Sequence, residues 1–242
     1  MGVVTLNDWL NEEGKQIENI ISETMFRTRC CIPAIVQSYN SSRNTVECQP
    51  AIREKVTLDD VRGSMVSKME AKNISFELSG MSYLSCPNLK ATTLNISLKE
   101  SAQLVLGNAN ADEANIVLTD SSSIQASILA AKKCSALLEN ASIVNVKFVS
   151  DDLKIESSGT VSGTIEGSTI AAKIEVSGRS KLNCIALLTT YTEANIMGAS
   201  SLSIYVSEEL KAYVNGDSIL SYKGKCKEKI DASGEAIINH VE

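Results

Sequence analysis

Histidine is almost missing from this 242-residue chain: His240 is the single copy. Aromatic residues make up only 4% of it, with one tryptophan, and there are three prolines. A core built from it must therefore be mostly Ile, Leu, Val and Ala. No apolar run approaches the ~18 residues that a membrane helix needs, so no segment reads as a bilayer span. The N-terminus, Met1 to Asp8, has neither a basic n-region nor an apolar h-region and does not read as a secretory signal. Seven cysteines are present (Cys30, Cys31, Cys48, Cys86, Cys134, Cys184 and Cys226), but no two are spaced CxxC. With one imidazole, that leaves no zinc-ligand pattern. The odd count argues against a fully paired disulfide framework, and buried free thiols in a reducing compartment are expected.

Charge of one sign is nowhere concentrated. Residues 1–70 carry 8 basic and 10 acidic side chains, residues 71–242 carry 15 and 19, and the net charge is −6. No basic stripe exists for a phosphate backbone, so nucleic acid is not an expected partner. GxSxG, HExxH, P-loop and helix-opening GxGxxG patterns are all missing, and no catalytic set, cofactor site or metal site is assigned. The adjacent carboxylates Asp59-Asp60, Asp151-Asp152 and Glu208-Glu209 read as solvated pairs. Neighbours on a strand point to opposite faces and cannot converge on one ligand. His240 reads as an exposed residue near the C-terminus. Three copies meeting on a threefold axis would offer a metal only one imidazole each, because the neighbours of His240 are Asn239 and Val241.

Residues 5–28 predict a helix. Asn7 or Asp8 can cap it, and Trp9, Leu10, Ile17, Ile20, Ile21 and Met25 form one apolar stripe, weakened at Gly14. Residues 32–39 and 45–52 predict two strands joined by the polar turn Asn40 to Asn44, which is a hairpin signal. Pro33 and Pro50 fall near strand ends, where a missing donor is tolerated. This stretch resembles the N-terminal domain of phage tail spike proteins of the membrane-piercing type. The residues that carry the likeness are Ile32, Pro33, Ile35, Val36, Tyr39, Thr45, Val46, Gln49, Pro50 and Ile52. The resemblance implies an OB-like attachment region over residues 1–71.

From about residue 72 the chain repeats. One column runs Gly80, Glu100, Asp120, Glu139, Ser158, Gly178, Gly198, Gly216 and Gly234, at spacings between 18 and 20 residues. Four residues after each member, Leu or Ile recurs in every copy but the fifth, where Ser162 stands, and a register slip is suspected there. The unit x-Ile-x-Leu-x-Gly-x-Ser-x-Leu alternates apolar with polar, the mark of a strand with one buried face. A period near 20 is too short for a helical pair or a propeller blade and suits one coil of a β-solenoid. The fold expected is mainly β: an N-terminal helix and an OB-like hairpin region, then a β-solenoid shaft of about nine coils over residues 72–242. The segments 76–84, 174–182, 195–204 and 213–238 resemble the adhesin-head solenoids of bacterial surface proteins.

The two resemblances imply different functions. The first implies a structural spike or needle-tip protein of a contractile phage tail or tail-like bacteriocin. It would be a homotrimer attached to the tail tube, hub or baseplate, acting on a target-cell envelope and located at the tip of a virion or tail-like particle. The alternative is a surface adhesin or binding module presenting a β-solenoid, or a solenoid scaffold polymer. No enzymatic activity is expected under either.

Overall fold

The computed structural model describes residues 34–40, 45–50, 56–59, 62–64 and 69–241, with side chains from Met69 onward. The helix expected over residues 5–28 lies outside the described residues. The chain divides into two compact units, Met1–Ile52 and Arg53–Glu242. In the first, β1 (Ala34–Asn40) and β2 (Thr45–Pro50) pair antiparallel, as the turn chemistry between them predicts. The register slips between Val36 and Ser38, which marks a bulge.

The second unit is a single parallel β-solenoid of about nine turns. Its strands are β3 (Val56–Asp59), β4 (Arg62–Ser64), β5 (Met69–Ser79), β6 (Tyr83–Leu98), β7 (Gln103–Leu118), β8 (Ser123–Asn140), β9 (Ile143–Gly159) and β10 (Ser162–Val176). They continue with β11 (Lys181–Ile196), β12 (Ser201–Asn215), β13 (Ile219–Lys223), β14 (Lys227–Ser233) and β15 (Ile237–Val241). Sequence neighbours from β5 to β13 stack in chain order, β3 pairs with β5, β4 with β6, β14 with β12 and β15 with β13. Every one of these pairings is parallel. The coils are wound by one chain. No described residue lies in a helix, and none forms a helix long and apolar enough to cross a membrane.

A sharp corner sets the period. Nine residues with positive φ stack there: Gly80, Glu100, Asp120, Asn140, Gly159, Gly178, Gly198, Gly216 and Gly234. Each opens one coil, called here a rung and numbered one to nine from Gly80. This corrects the expected column at two places, because Asn140 and Gly159 hold the corner rather than Glu139 and Ser158. The physical reason is the left-handed backbone region, which Asn and Gly enter at far lower cost than most side chains. With the corner moved by one residue, Val144 and Leu138 face inward and are buried, while Ile143 is exposed. The inward position of the fifth rung falls to Gly163, which stacks on Val144.

Past the corner the strands bend rather than break. In β6, Leu84 and Cys86, then Leu89 and Ala91, then Leu94, Ile96 and Leu98 are buried in alternation. Pro87 and Asn88 both face outward, as does Thr92 beside the half-buried Thr93, and each doubling turns the strand. The result is a three-sided coil around an aliphatic core. Polar stacking tightens the corner: Asn140 donates to Asp120 at 2.9 Å and the Gly80 amide donates to Glu100 at 2.9 Å. Two residues past each of the first eight corners lies a buried column of Ser82, Ala102, Ser122, Ser142, Val161, Ser180, Ser200 and Ser218.

Candidate functional site

Stacking in register converts outward residues of successive rungs into columns that run along the solenoid axis. Two such columns border a groove of about 700 Å³. One wall is Glu113, Lys133, Asp152, Ala171, Tyr191 and Glu209. The other is Asn115, Ser135, Lys154, Lys173, Glu193 and Lys211. Inward-facing Cys134, Leu153, Ala172 and Thr192 supply the floor. Six rungs contribute, so at one strand spacing per rung the groove is about 24 Å long.

The walls are charged but balanced. Lys173 pairs with Glu175 at 3.0 Å, Lys211 with Glu209 at 3.2 Å, and Lys154 with Glu156. Each pair joins residues two apart on one strand, whose side chains share a face. The Glu175 carboxylate holds the Lys173 ammonium above its ordinary range. Glu113, Lys133 and Asp152 succeed one another on one wall without forming an ion pair among the described residues. Burial pushes the Cys134 thiol beneath them up to about 12, which leaves it protonated and unreactive near neutral pH.

A second axial groove of about 760 Å³ lies on the other side of the bend. Its near wall is Asn110, Ala130, Val149, Ser168, Leu188 and Tyr205. Asp112, Lys132, Asp151 and Ile170 stand across from it, and Lys132 pairs with Asp112 at 2.8 Å. Beneath it, buried hydroxyls find partners in one another and in the backbone: Ser150 donates to Thr169 at 3.2 Å, and Thr189 donates to the Tyr205 carbonyl at 2.7 Å. Val149 and Leu188 on the near wall of this groove, Ile170 across from them and Tyr191 on the wall of the first groove are 42%, 55%, 54% and 50% exposed. They fall on the fourth, fifth and sixth rungs and form an apolar patch that spans the second groove.

The carboxylate pairs noted in the sequence are divided by this architecture. Asp151 and Asp152 face different grooves, and Glu209 is held by Lys211 while Glu208 is exposed. Asp60 lies outside the described residues. His240 stacks on Tyr222 with ring centroids 4.6 Å apart, and its Nε2 lies 3.1 Å from the Gly224 carbonyl oxygen. No group of three or more metal-ligating side chains occurs among the described residues. The apolar patch was missed by reading inward positions alone. The signal lay in Ile170, an outward position that Asp112, Lys132 and Asp151 hold in the preceding rungs, whereas Val149 and Leu188 share a column with Ala130, Ser168 and Tyr205 and offer no such contrast.

A family model described as "Putative auto-transporter adhesin, head GIN domain" matches residues 50–163 and again 138–226. The chain belongs to this family. The two adhesin-head matches together take in nearly all of the solenoid, and their overlap reflects the repeat itself. No curated protein and no solved structure matches the chain. The tail-spike resemblance of the N-terminal stretch is not shown by any of these comparisons, whereas the adhesin-head resemblance is.

Proposed function

We propose that the protein is a non-catalytic binding module, an adhesin head whose solenoid wall presents a contact face to a surface-borne ligand. The observation that carries this reading is the apolar patch of Val149, Ile170, Leu188 and Tyr191, which spans the second axial groove and reaches the wall of the first. Contiguous exposed apolar side chains rimmed by polar ones mark interaction sites, and a rigid stack of parallel strands holds them in fixed register. Family membership points the same way. The charged residues nearby include the pairs Lys132–Asp112 and Lys173–Glu175, with no imidazole or thiolate among them, which suits recognition better than proton transfer. The reading does not draw on the tail-spike resemblance or on the tube, hub and trimer partners that came with it.

The test is adhesion. The purified chain is offered to panels of bacterial and animal cell envelopes immobilised on a sensor surface. Adhesion to one class is expected, and the Ile170→Asp, Leu188→Asp double variant should lose tenfold or more in affinity while its thermal unfolding stays unchanged. Failure of the unaltered chain to adhere to any envelope overturns the reading.

A further inference from the structure

We infer that the groove walled by Tyr191 takes a linear glycan of balanced or zero net charge, lying along the solenoid axis with about one sugar per rung. This rests on the binding-module reading and deepens it.

Length and direction come first. The groove is walled by successive rungs from Glu113 to Lys211 and runs parallel to the stacking direction. Its polar groups recur once per strand spacing, about 4.8 Å. An extended β-1,4-linked hexose chain advances by nearly the same step, so each successive sugar meets a new rung and presents its two edges in alternation. An extended peptide fits less well, because it advances only about 3.4 Å per residue and falls out of step with the rungs.

Chemistry comes second. Tyr191 is half exposed on the wall and offers a flat face to the C–H side of a sugar ring. Ala171, one rung below it in register, leaves room beside that ring. Donors and acceptors sit side by side: Lys173 beside Glu175 and Glu193, and Lys211 beside Glu209. Such pairs can satisfy a neighbouring hydroxyl as donor and as acceptor. The Glu113, Lys133, Asp152 wall adds charged groups that form no ion pair and alternate in sign. A polyanion would meet Glu113, Asp152 and Glu209 on one wall, and a polycation would meet the lysines on the other, so a strongly charged chain is disfavoured in both cases.

The experiment uses the full chain and soluble hexasaccharides of xylose, glucose and mannose in β-1,4 linkage as probes, with heparin and poly-lysine as charged controls. Titration calorimetry should show binding of at least one neutral hexasaccharide, with affinity rising from the disaccharide to about the hexasaccharide. Tyr191→Ala should lose tenfold or more, and Lys133→Ala together with Asp152→Ala a similar amount, with unchanged unfolding temperatures. Affinity that saturates at the disaccharide overturns the axial placement. Tight binding of only the charged polymers, or of no glycan by a chain that still adheres to cell envelopes, overturns the inference and leaves the binding-module reading standing. Failure to adhere to any envelope removes the reading itself.

Discussion

At the residue scale, the corner and the serine column beside it decide how well each rung closes. Ser82, Ser200 and Ser218 donate their hydroxyls to the carbonyl three residues back, at 2.6, 2.8 and 2.8 Å. Ser122 and Ser142 occupy the same column, fully buried, and their hydroxyls have no partner. A buried unpaired hydroxyl costs about 1–3 kcal/mol, whereas a made bond contributes only about 1 kcal/mol net. Ser142→Ala should therefore raise stability or leave it unchanged, and Ser200→Ala should lower it by about 1 kcal/mol. Ala102 already fills the equivalent place in the second rung, so the smaller side chain is tolerated there. Urea unfolding of the two variants checks this, and destabilisation by Ser142→Ala would refute it. Gly163 is the opposite case: a Cβ there would collide with the Val144 carbonyl oxygen. The backbones must part to admit it, so Gly163→Ala should cost about 1–3 kcal/mol, as overpacking does. Both effects were hidden from the sequence. The repeat was legible as a period, but Glu139 and Asn140 are adjacent polar residues that a column can pass through equally well. Only the sign of φ at the corner separates them.

At the scale of the strand, alternation was the legible part and the bends were not. The pattern around Gly80, Gly178 and Gly198 gave strand, turn and inward face correctly. At Pro87-Asn88 and Thr92-Thr93 the alternation is interrupted by one extra outward residue, too short a break to show in the period that a new side begins there. The hairpin of β1 and β2 was legible because its turn is five polar residues between two runs rich in β-formers. The proposed binding face was the least legible, since the outward Ile170 of one rung has meaning only beside the outward Asp151 of the rung before it. The inward faces also carry thiols. Burial pushes both Cys134 and Cys184 up to about 12 from an ordinary 9.0. The folded state thus holds these protons more tightly than the unfolded chain does. Their contribution to stability is complete below about pH 9 and is lost as pH rises from there toward 12. The urea midpoint should accordingly be flat from pH 7 to 8.5 and fall steeply above about pH 9. The Cys134→Ala, Cys184→Ala double variant should start lower, because it leaves cavities, but should fall less steeply over the same range. Equal slopes would show that other groups govern the alkaline transition.

At the scale of the whole solenoid, stability is distributed by neighbours. Each rung is bonded only to the rung on either side, so interior rungs have two interfaces and a terminal one has a single interface. The C-terminal end of the solenoid, from the second half of the eighth rung through the ninth, shows this in its side chains. Ile230 and Ile238 are only half buried, Ala232 is exposed, and Ile237 and Val241 are 51% and 44% exposed. Its strands β14 and β15 pair on one side only, with β12 and β13. The central rungs are different: Phe148, Ile155, Ile165 and Ile174 are fully buried, and β8 to β11 are paired on both edges. Amide hydrogen exchange should follow this gradient, with Lys227–Val241 opening locally at low free energy and β7 to β10 exchanging only through global unfolding. Phe148→Ala tests the same coupling from the inside. Emptying a buried phenylalanine site typically costs about 3–5 kcal/mol. In a stack of this kind the loss should accelerate exchange in β8, β9 and β10 together while leaving the already labile β14 and β15 unchanged. Exchange that is uniform along the chain, or a Phe148→Ala effect confined to β9, would mean that the rungs do not share their stability through nearest-neighbour contacts.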